Sequence, residues 1–263
     1  MLTDTLIAFL ILVAVAAAAV AQTDTSSNPR AVMPERPTVA THAFTVAPGY
    51  VEIETGAERD RFGPSANALV FPTVVKVGLG TRAQLDIDLP VVKSPGSSIG
   101  IGDVGVGVKY RIVDDAPLLG AVAVVPSIKA PTGDDNLGRG SGTTDVSIVA
   151  ISSHKFGDFS IDLNAGYTRR SSGPAPSSAT LWTASFGGPI AAQFGWVLEC
   201  FGYPGTGGQF GQSPTVAVLA GPTVLATQSV ALDVGIIVPV RGPQPHALYA
   251  GLVYNVGRIF SVH

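Results

Sequence analysis

The sequence predicts an all-β protein, a transmembrane antiparallel up-and-down β-barrel of about 12 strands. Three observations support this prediction: an apolar composition, segments in which apolar and polar residues alternate, and connections that alternate in length. Hydrophobic residues make up 46% of the 263 residues and charged residues only 13%. Beyond residue 22, no apolar run reaches the roughly 18 residues that a membrane helix needs. The remaining membrane architecture is a closed barrel, because it pairs every backbone N–H and C=O between strands.

The N-terminus has the pattern of an export signal. Residues 6–20 are continuously apolar, and Ala19-Val20-Ala21 is a small-x-small pattern that signal peptidase accepts. This predicts a signal peptide over residues 1–21, cleaved before Gln22. The usual basic start is missing, since Asp4 is the only charged residue of the segment. An uncleaved anchor helix is the alternative, although no basic stop-transfer cluster follows.

Residues 22–48 are polar and contain prolines at positions 29, 34, 37 and 48. Such a composition predicts a flexible periplasmic leader that is at least partly disordered. Whether this leader enters the barrel is left open by the sequence. The periodic region begins near Tyr50, so residues 49–263 are expected to form the barrel.

The strand prediction depends on alternation with a period of two. In residues 83–89 (AQLDIDL) every second residue is apolar, and the residues between them are Gln or Asp. Residues 104–112 and 159–167 alternate in a similar way. A strand separates such residues onto two faces, whereas a helix would scatter the polar ones around its axis. The predicted strands lie near residues 50–58, 66–77, 81–90, 102–112, 118–129, 144–153, 159–168, 180–187, 193–202, 214–224, 229–240 and 246–258.

The connections between these strands alternate in length. Short ones are residues 78–80, 113–117, 155–158 and 226–228, and long ones rich in Gly, Ser and Pro are residues 91–98, 131–142, 169–178 and 202–213. Outer-membrane barrels combine short periplasmic turns with longer external loops. The sequence therefore predicts an exported protein of the bacterial outer membrane with its N-terminus in the periplasm.

If the apolar faces of the strands meet lipid, their polar faces line the lumen. The predicted lumen-lining residues are Glu52, Glu54, Lys76, Gln84, Asp86, Asp88, Lys109, Arg111, Asp162, Asn164, Glu199 and Asp233. Acidic and basic residues fall on adjacent strands, which permits two interpretations. One is an internal ion-pair network that fills and stiffens a narrow barrel, and the other is a polar pore lining that selects solutes. Residues 118–129 and 214–224 are largely apolar on both faces, so their sides are not assigned.

No residue pattern indicates catalysis or a cofactor. The histidines His42, His154, His246 and His263 lack metal-ligand spacing, and no Gly-x-Ser-x-Gly nucleophile motif is present. A barrel hydrolase would need a serine within reach of His154 or His246. Residues 100–105 (GIGDVG) approach a dinucleotide fingerprint but begin a strand instead of following one. We therefore expect no enzyme activity, no metal and no cofactor, and the net charge of −3 argues against a nucleic-acid partner.

Several segments share their pattern with a known family. They are residues 47–50 (APGY), 102–111 (GDVGVGVKYR), 129–134 (KAPTGD), 141–146 (SGTTDV), 201–205 (FGYPG) and 249–252 (YAGL). In this order they resemble the outer-membrane family named after the meta-cleavage pathway of phenol degradation. The resemblance implies a barrel of the transporter type, and it spans nearly all of the mature chain.

The leading functional hypothesis is an outer-membrane channel for the passive passage of small, aromatic or hydrophobic, solutes. The alternative is a closed structural or partner-binding barrel without transport. Expected partners are outer-membrane lipid, a small-molecule solute and, during insertion, the barrel-assembly machinery. The last strand resembles the assembly signal that this machinery recognises, because residues 251–256 alternate and Phe260 follows.

Overall fold

The computed structural model describes residues 28–63, 66–171, 177–204 and 214–261, so the predicted signal peptide lies outside the described residues. The described residues form one short 3-10 helix, Asp135–Leu137, and fifteen strand segments. The segments are β1 (Tyr50–Arg61), β2 (Asn67–Phe71), β3 (Thr73–Gly78), β4 (Ala83–Asp88), β5 (Val91–Lys93), β6 (Gly100–Ile101), β7 (Val104–Ala116), β8 (Gly120–Ala130), β9 (Asp145–Phe156), β10 (Phe159–Arg170), β11 (Ser178–Ala191), β12 (Phe194–Tyr203), β13 (Thr215–Thr227), β14 (Val230–Arg241) and β15 (His246–Arg258). No helix in this part of the chain is long and apolar enough to cross a membrane.

The fifteen segments make twelve barrel strands, because three strands are interrupted. Pro72 separates β2 from β3, Leu89-Pro90 separates β4 from β5, and Gly102-Asp103 separates β6 from β7. Proline has no N–H to donate to a neighbouring strand, which explains the first two breaks. Each barrel strand pairs antiparallel with the next, and β15 pairs with β1 along its whole length. The predicted up-and-down barrel of 12 strands is confirmed.

Side chains alternate between the two faces of the wall. On β10, Asn164 is buried, whereas its neighbour Leu163 is exposed on the outer face. Phe186 on β11 and Leu252 on β15 are exposed in the same way. A bilayer would cover such residues, which is the pattern of an outer-membrane barrel.

The connections at the two ends of the barrel differ in length. At one end they are residues 79–82, 117–119, 157–158, 192–193 and 228–229, and at the other end they are residues 62–66, 94–99, 131–144, 171–177, 204–214 and 242–245. Short turns face the periplasm in outer-membrane barrels. We therefore assign the first end to the periplasm, which makes β1 run from the periplasmic to the external end.

The longest external connection, residues 131–144, is anchored to the barrel wall by Asp103. The Asp103 carboxylate accepts hydrogen bonds from Lys129 Nζ (2.7 Å), the N–H of Ser141 (2.8 Å) and the N–H of Gly133 (3.1 Å). Within the loop, the Asp134 side chain caps the 3-10 helix. These contacts hold the loop against the external rim.

The interior of the barrel contains most of residues 28–48, which we name the lumenal segment; Pro29 and Arg30 near its start are exposed. Ala40, Ala43 and Val46 of this segment are almost completely buried, with exposed fractions of 2%, 0% and 1%. Over these residues the structure differs from the flexible periplasmic leader that the composition suggested. The physical reason is that polar side chains of the wall bind the backbone of the segment, which therefore needs no helix or strand of its own.

Candidate functional site: the barrel lumen

The structure places all twelve predicted lumen residues on the inner face of the barrel. They are Glu52 and Glu54 on β1, Lys76 on β3, Gln84, Asp86 and Asp88 on β4, Lys109 and Arg111 on β7, Asp162 and Asn164 on β10, Glu199 on β12 and Asp233 on β14. Of these, only Asp88 is exposed. A buried charge is costly unless it has a partner. Many of the partners belong to the lumenal segment.

The lumenal segment enters and leaves the barrel at the periplasmic end. Near its start, the N–H of Val32 donates to the C=O of Gln228 (2.9 Å) in the turn between β13 and β14. At its end, the N–H of Gly49 donates to the C=O of Gly78 (2.8 Å), the last residue of β3. Gly49 has a φ of +79°, and a Cβ there would lie 2.1 Å from the Phe260 carbonyl oxygen, so only glycine fits this crossing. The residues between these two points form a loop within the lumen.

A buried ion triad binds the first part of the loop. Lys76 Nζ lies 2.6 Å from both Glu52 Oε1 and Glu54 Oε1. The N–H of Met33 donates to Glu52 Oε2 and the N–H of Glu35 donates to Glu54 Oε1, both at 2.8 Å. Lys76 also donates to the C=O of Met33 (2.5 Å). From the first contact to the second, the segment advances from Met33 to Glu35 and β1 advances from Glu52 to Glu54. The segment therefore runs beside β1, but it is bound by side chains instead of a strand ladder.

A second buried cation, Lys109, contacts the loop from β7. Lys109 forms an ion pair with Glu35 and donates to Thr41 Oγ1 (2.8 Å). The neighbouring inward residue, Arg111, places its guanidinium carbon 5.7 Å from the ring centroid of Phe44, within cation–π range. The basic residues of β7 therefore contact the loop through a carboxylate, a hydroxyl and an aromatic ring.

Residues 39–41 form the top of the loop, and two side chains of β10 and β12, on the opposite wall, accept hydrogen bonds from them. Glu199 is fully buried, and its two carboxylate oxygens accept hydrogen bonds from the N–H groups of Val39 (2.8 Å) and Ala40 (2.7 Å). The Asn164 side chain accepts from the N–H of Thr41 (2.7 Å) and donates to the C=O of the same residue (2.9 Å). Three consecutive residues of the loop are thus bound by two side chains from different strands.

Three further contacts join the loop to other strands of the wall. They join Arg36 to Asp233 on β14 (3.3 Å), the N–H of Ala43 to Ser153 on β9 (2.8 Å) and the N–H of Val46 to Gln84 on β4 (2.7 Å). Sequence reasoning missed Ser153, because a serine on a strand carries no signal for a lumenal partner. It also missed that the polar residues bind backbone groups of the chain itself.

Part of the inner face is apolar, and it lies in β12 to β15. We name this surface the apolar wall; it consists of Val197, Phe201, Ala217, Leu219, Ile237, Ala247 and Tyr249. Val39 of the loop and Tyr203 pack against it. A Cβ on Gly235 would lie 2.2 Å from Tyr249 Oη, so this glycine leaves the space that the tyrosine ring fills.

A smaller apolar cluster lies under the return half of the loop. Ala43 packs on Ala121, Ala123 and Ile151, and Phe44 covers the edge of this cluster. The inward residues Ala121 and Ala123 of β8 are small, which leaves room for the loop. This explains why the runs at 118–129 and 214–224 are apolar on both faces: one face meets lipid, and the other meets the lumenal segment or the apolar wall.

A cavity of about 360 Å³ remains between the loop and the wall. It extends to the periplasmic turn at Ala192 and Gln193, and its polar lining includes Arg36, Asp162, Ser185 and Asp233. The loop residues Pro34 to Thr38 form one side of it. The described lumen therefore contains a pocket next to the loop.

The histidines are spread over different environments. His42 is partly buried in the loop, with Nδ1 3.9 Å from Glu35 Oε1, and His154 stacks on Phe156 with ring centroids 5.8 Å apart. His246 is exposed on the outer face, and His263 lies outside the described residues. In the described ranges no histidine is hydrogen-bonded to a serine, and no cluster of His, Cys, Asp or Glu could hold a metal ion.

Comparison with solved structures places this fold among outer-membrane barrels. The chain is similar to the crystal structure of an outer membrane channel from Pseudomonas putida F1, with a TM-score of 0.63 and 14% identity, covering 85% of this chain and 99% of that chain. It is also similar to KdgM porin, with a TM-score of 0.53 and 8% identity over 77% of this chain and 98% of that chain. At such identities the likeness shows the fold, which supports a location in the outer membrane.

Comparison of the sequence with protein families gives one match, and it covers most of the chain. The family model described as "MetA-pathway of phenol degradation" matches residues 22–254, a range that includes the whole lumenal segment. No curated protein matches the sequence significantly. The resemblance seen in the short motifs is thus confirmed, and the chain belongs to this phenol-degradation family.

Proposed function

We propose that the protein is an outer-membrane channel for the passive passage of small solutes, and that the lumenal segment closes it at rest. The observation that carries the proposal is the way in which the segment is bound. In the described residues it is held by side-chain hydrogen bonds, ion pairs and packing, not by a strand ladder. Such contacts can break one by one, so the loop can move without opening the barrel wall.

The energy of these contacts is compatible with a channel that opens rarely. Glu199 holds the top of the loop through two hydrogen bonds, and a hydrogen bond to a charged group contributes about 1.5–3 kcal/mol. Release of Val39 and Ala40 would therefore cost a few kcal/mol, which leaves a small population with the top of the loop detached. A solute would cross during such openings, down its own gradient and without a cofactor.

The lining supports small solutes with an aromatic or hydrophobic part. Val197 of the apolar wall borders the cavity, and Phe201, Leu219 and Tyr249 lie beyond it on the inner face. The cavity volume of about 360 Å³ is at the lower end of the range for ligand pockets. The family description refers to phenol degradation, and one solved structure with this fold is described as an outer membrane channel. These findings support the choice of solute class and the channel role.

Ion conductance of the purified full-length protein in planar bilayers tests the proposal. We expect Glu199→Gln to increase the open probability at least fivefold, because the neutral amide keeps one acceptor oxygen and loses the charge that strengthens both bonds. Asp88→Asn is the matched control, since Asp88 also faces the lumen but is exposed, and no hydrogen bond or ion pair joins it to the described part of the loop. The control should conduct like the wild type. Equal changes in both variants would show that lumenal charge, not release of the loop, sets the conductance.

A closed structural barrel is the second candidate, and one observation favours it. The loop occupies much of the lumen and supplies partners to charged residues of the wall such as Lys76, Lys109 and Glu199. A variant that lacks residues 28–48 separates the two functions. If this variant shows heat-modifiable migration on a gel, as a folded barrel does, and yet neither it nor Glu199→Gln passes ions or sugars in liposome swelling, the closed barrel replaces the channel.

A further inference from the structure

The outer face carries a group of basic side chains at the external end of the barrel. In the register of the wall, Arg59 on β1 lies between Leu248 on β15 and Leu69 on β2, and Leu69 lies beside Lys93 on β5. Arg61 lies between His246 and Asn67 in the next outward row. By strand geometry Arg59 and Arg61 are about 7 Å apart along β1, and Lys93 is about 10 Å away across two strands. Three permanent positive charges therefore share a small area of the lipid-facing surface.

No carboxylate neutralises this area. The acidic residues of β1, β2, β5, β14 and β15 fall on the inner face; they are Glu52, Glu54, Glu58, Asp60 and Asp233. The connections at residues 62–66, 94–99 and 242–245 contain no Asp or Glu. The charge of the outer face is consequently of a single sign here.

The basic side chains also lack partners within the described part of the chain. Arg59 and Lys93 make no hydrogen bond to another described residue, and Arg61 donates only to the C=O of Gly63 (3.3 Å). Arg169, an outward arginine on the far side of the barrel, instead donates to Ser177 Oγ (3.2 Å). An unpaired charge beside apolar side chains at a membrane surface is costly unless an anion or water meets it.

A recess next to these charges has one basic and one apolar side. It measures about 470 Å³ and is bordered by Arg59, Arg61, Asn67 and His246 on β1, β2 and β15. Its other border includes Ile236 and Leu248, which are 45% and 60% exposed. An occupant that combines an anionic head with hydrocarbon chains would match both borders. A free anion would leave the apolar border uncovered.

We propose that this basic recess binds a phosphate-bearing lipid of the outer leaflet, the phosphorylated glycolipid lipopolysaccharide. The guanidinium groups of Arg59 and Arg61 bind phosphate oxygens, for which their planar donor geometry is suited. The acyl chains of the lipid lie along Ile236 and Leu248. The position of the recess at the external end places the phosphates at the level of the headgroups.

Native mass spectrometry of the full-length protein in detergent tests the site with bis-phosphorylated lipid A as the probe. The wild type should bind one lipid A, and Arg59→Gln/Arg61→Gln should bind it at least fivefold more weakly. Arg169→Gln removes one positive charge from another part of the outer face, is the matched control for the single variant Arg61→Gln, and should bind like the wild type. Dephosphorylated lipid A should bind the wild type at least fivefold more weakly than the phosphorylated form.

Three results would overturn the proposal. They are unchanged binding in the double variant, an equal loss in Arg169→Gln, and full displacement of lipid A by millimolar inorganic phosphate, which would indicate a site for free anions. Heat-modifiable migration establishes that each variant is folded. If the double variant does not fold, Lys93→Gln and Arg61→Gln are measured singly. The comparison of phosphorylated with dephosphorylated lipid A and the competition by inorganic phosphate use wild-type protein, so they test the site without any substitution.

Discussion

Two sides of the lumen hold the same loop by different means. On the side of β1 and β3, Lys76, Glu52 and Glu54 form a buried ion triad that binds the backbone at Met33 and Glu35. On the side of β12 to β15, apolar contact is added to the polar contacts of Glu199 and Asp233, because Val39 packs against the apolar wall. Hydrogen bonds and ion pairs are directional, whereas apolar contact is not. The triad therefore sets the register of the loop, whereas the apolar wall permits its displacement.

The largest effect is expected from breaking the triad. Lys76→Met should lower the free energy of unfolding by about 3–5 kcal/mol, because it leaves two buried carboxylates without their cation. Urea unfolding of the protein in lipid vesicles measures this change. The matched control, Lys76→Met/Glu52→Gln/Glu54→Gln, removes all three charges and should recover most of the loss. A loss below about 1 kcal/mol in the single variant would mean that water reaches the triad and that its register role is wrong.

The apolar wall should respond to volume instead of charge. Leu219 is 1% exposed, and Leu219→Ala should cost about 2–5 kcal/mol by leaving a cavity. Leu219→Met keeps the volume and should cost less than about 1.5 kcal/mol. The same vesicle unfolding assay compares the two variants. If Leu219→Met and Leu219→Ala lower the free energy of unfolding equally, the apolar wall requires one particular side-chain shape, as the triad requires particular charges. The difference between the two sides of the lumen would then disappear.

The barrel was predictable because its determinants are local and repetitive. Period-two alternation, as in residues 83–89, assigns each residue to a face, and prolines and glycines mark the connections. The same alternation assigned Glu52, Lys76 and Glu199 to the inner side. The one strand expected at residues 66–77 is interrupted at Pro72, a local break that the pattern does not resolve.

The lumenal segment was not predictable from the same signals. Its partners on the wall are acceptors such as Glu199 and Asn164, whose identity indicates only a polar inner face. The groups that they bind are backbone N–H groups, which every residue except proline has. A usable signal was present in the runs at 118–129 and 214–224. An inward apolar face in a barrel needs something to pack on, and Ala43 meets this need at β8.

The smallest effect is expected at Ser153, where a polar contact lies beside the apolar cluster of β8 and β9. Ser153 Oγ accepts from the N–H of Ala43 (2.8 Å) and donates to Asp162 (2.5 Å). Ser153→Ala leaves that buried N–H without an acceptor and should cost about 1–2 kcal/mol in vesicle unfolding. Ser152→Ala on the outer face of the same strand is the control, and it removes a hydrogen bond to the exposed C=O of Leu119.

This variant also tests how the two kinds of contact combine. If directional contacts alone position the loop, Ser153→Ala should raise the open probability in bilayers, as Glu199→Gln does. If packing of Ala43 and Phe44 holds this part of the loop, stability falls while conductance stays at the wild-type level. We expect the second result, because Ala43 is fully buried against Ala121, Ala123 and Ile151. An increase in conductance would show that the polar contact, and not the cluster beneath it, holds the returning half of the loop.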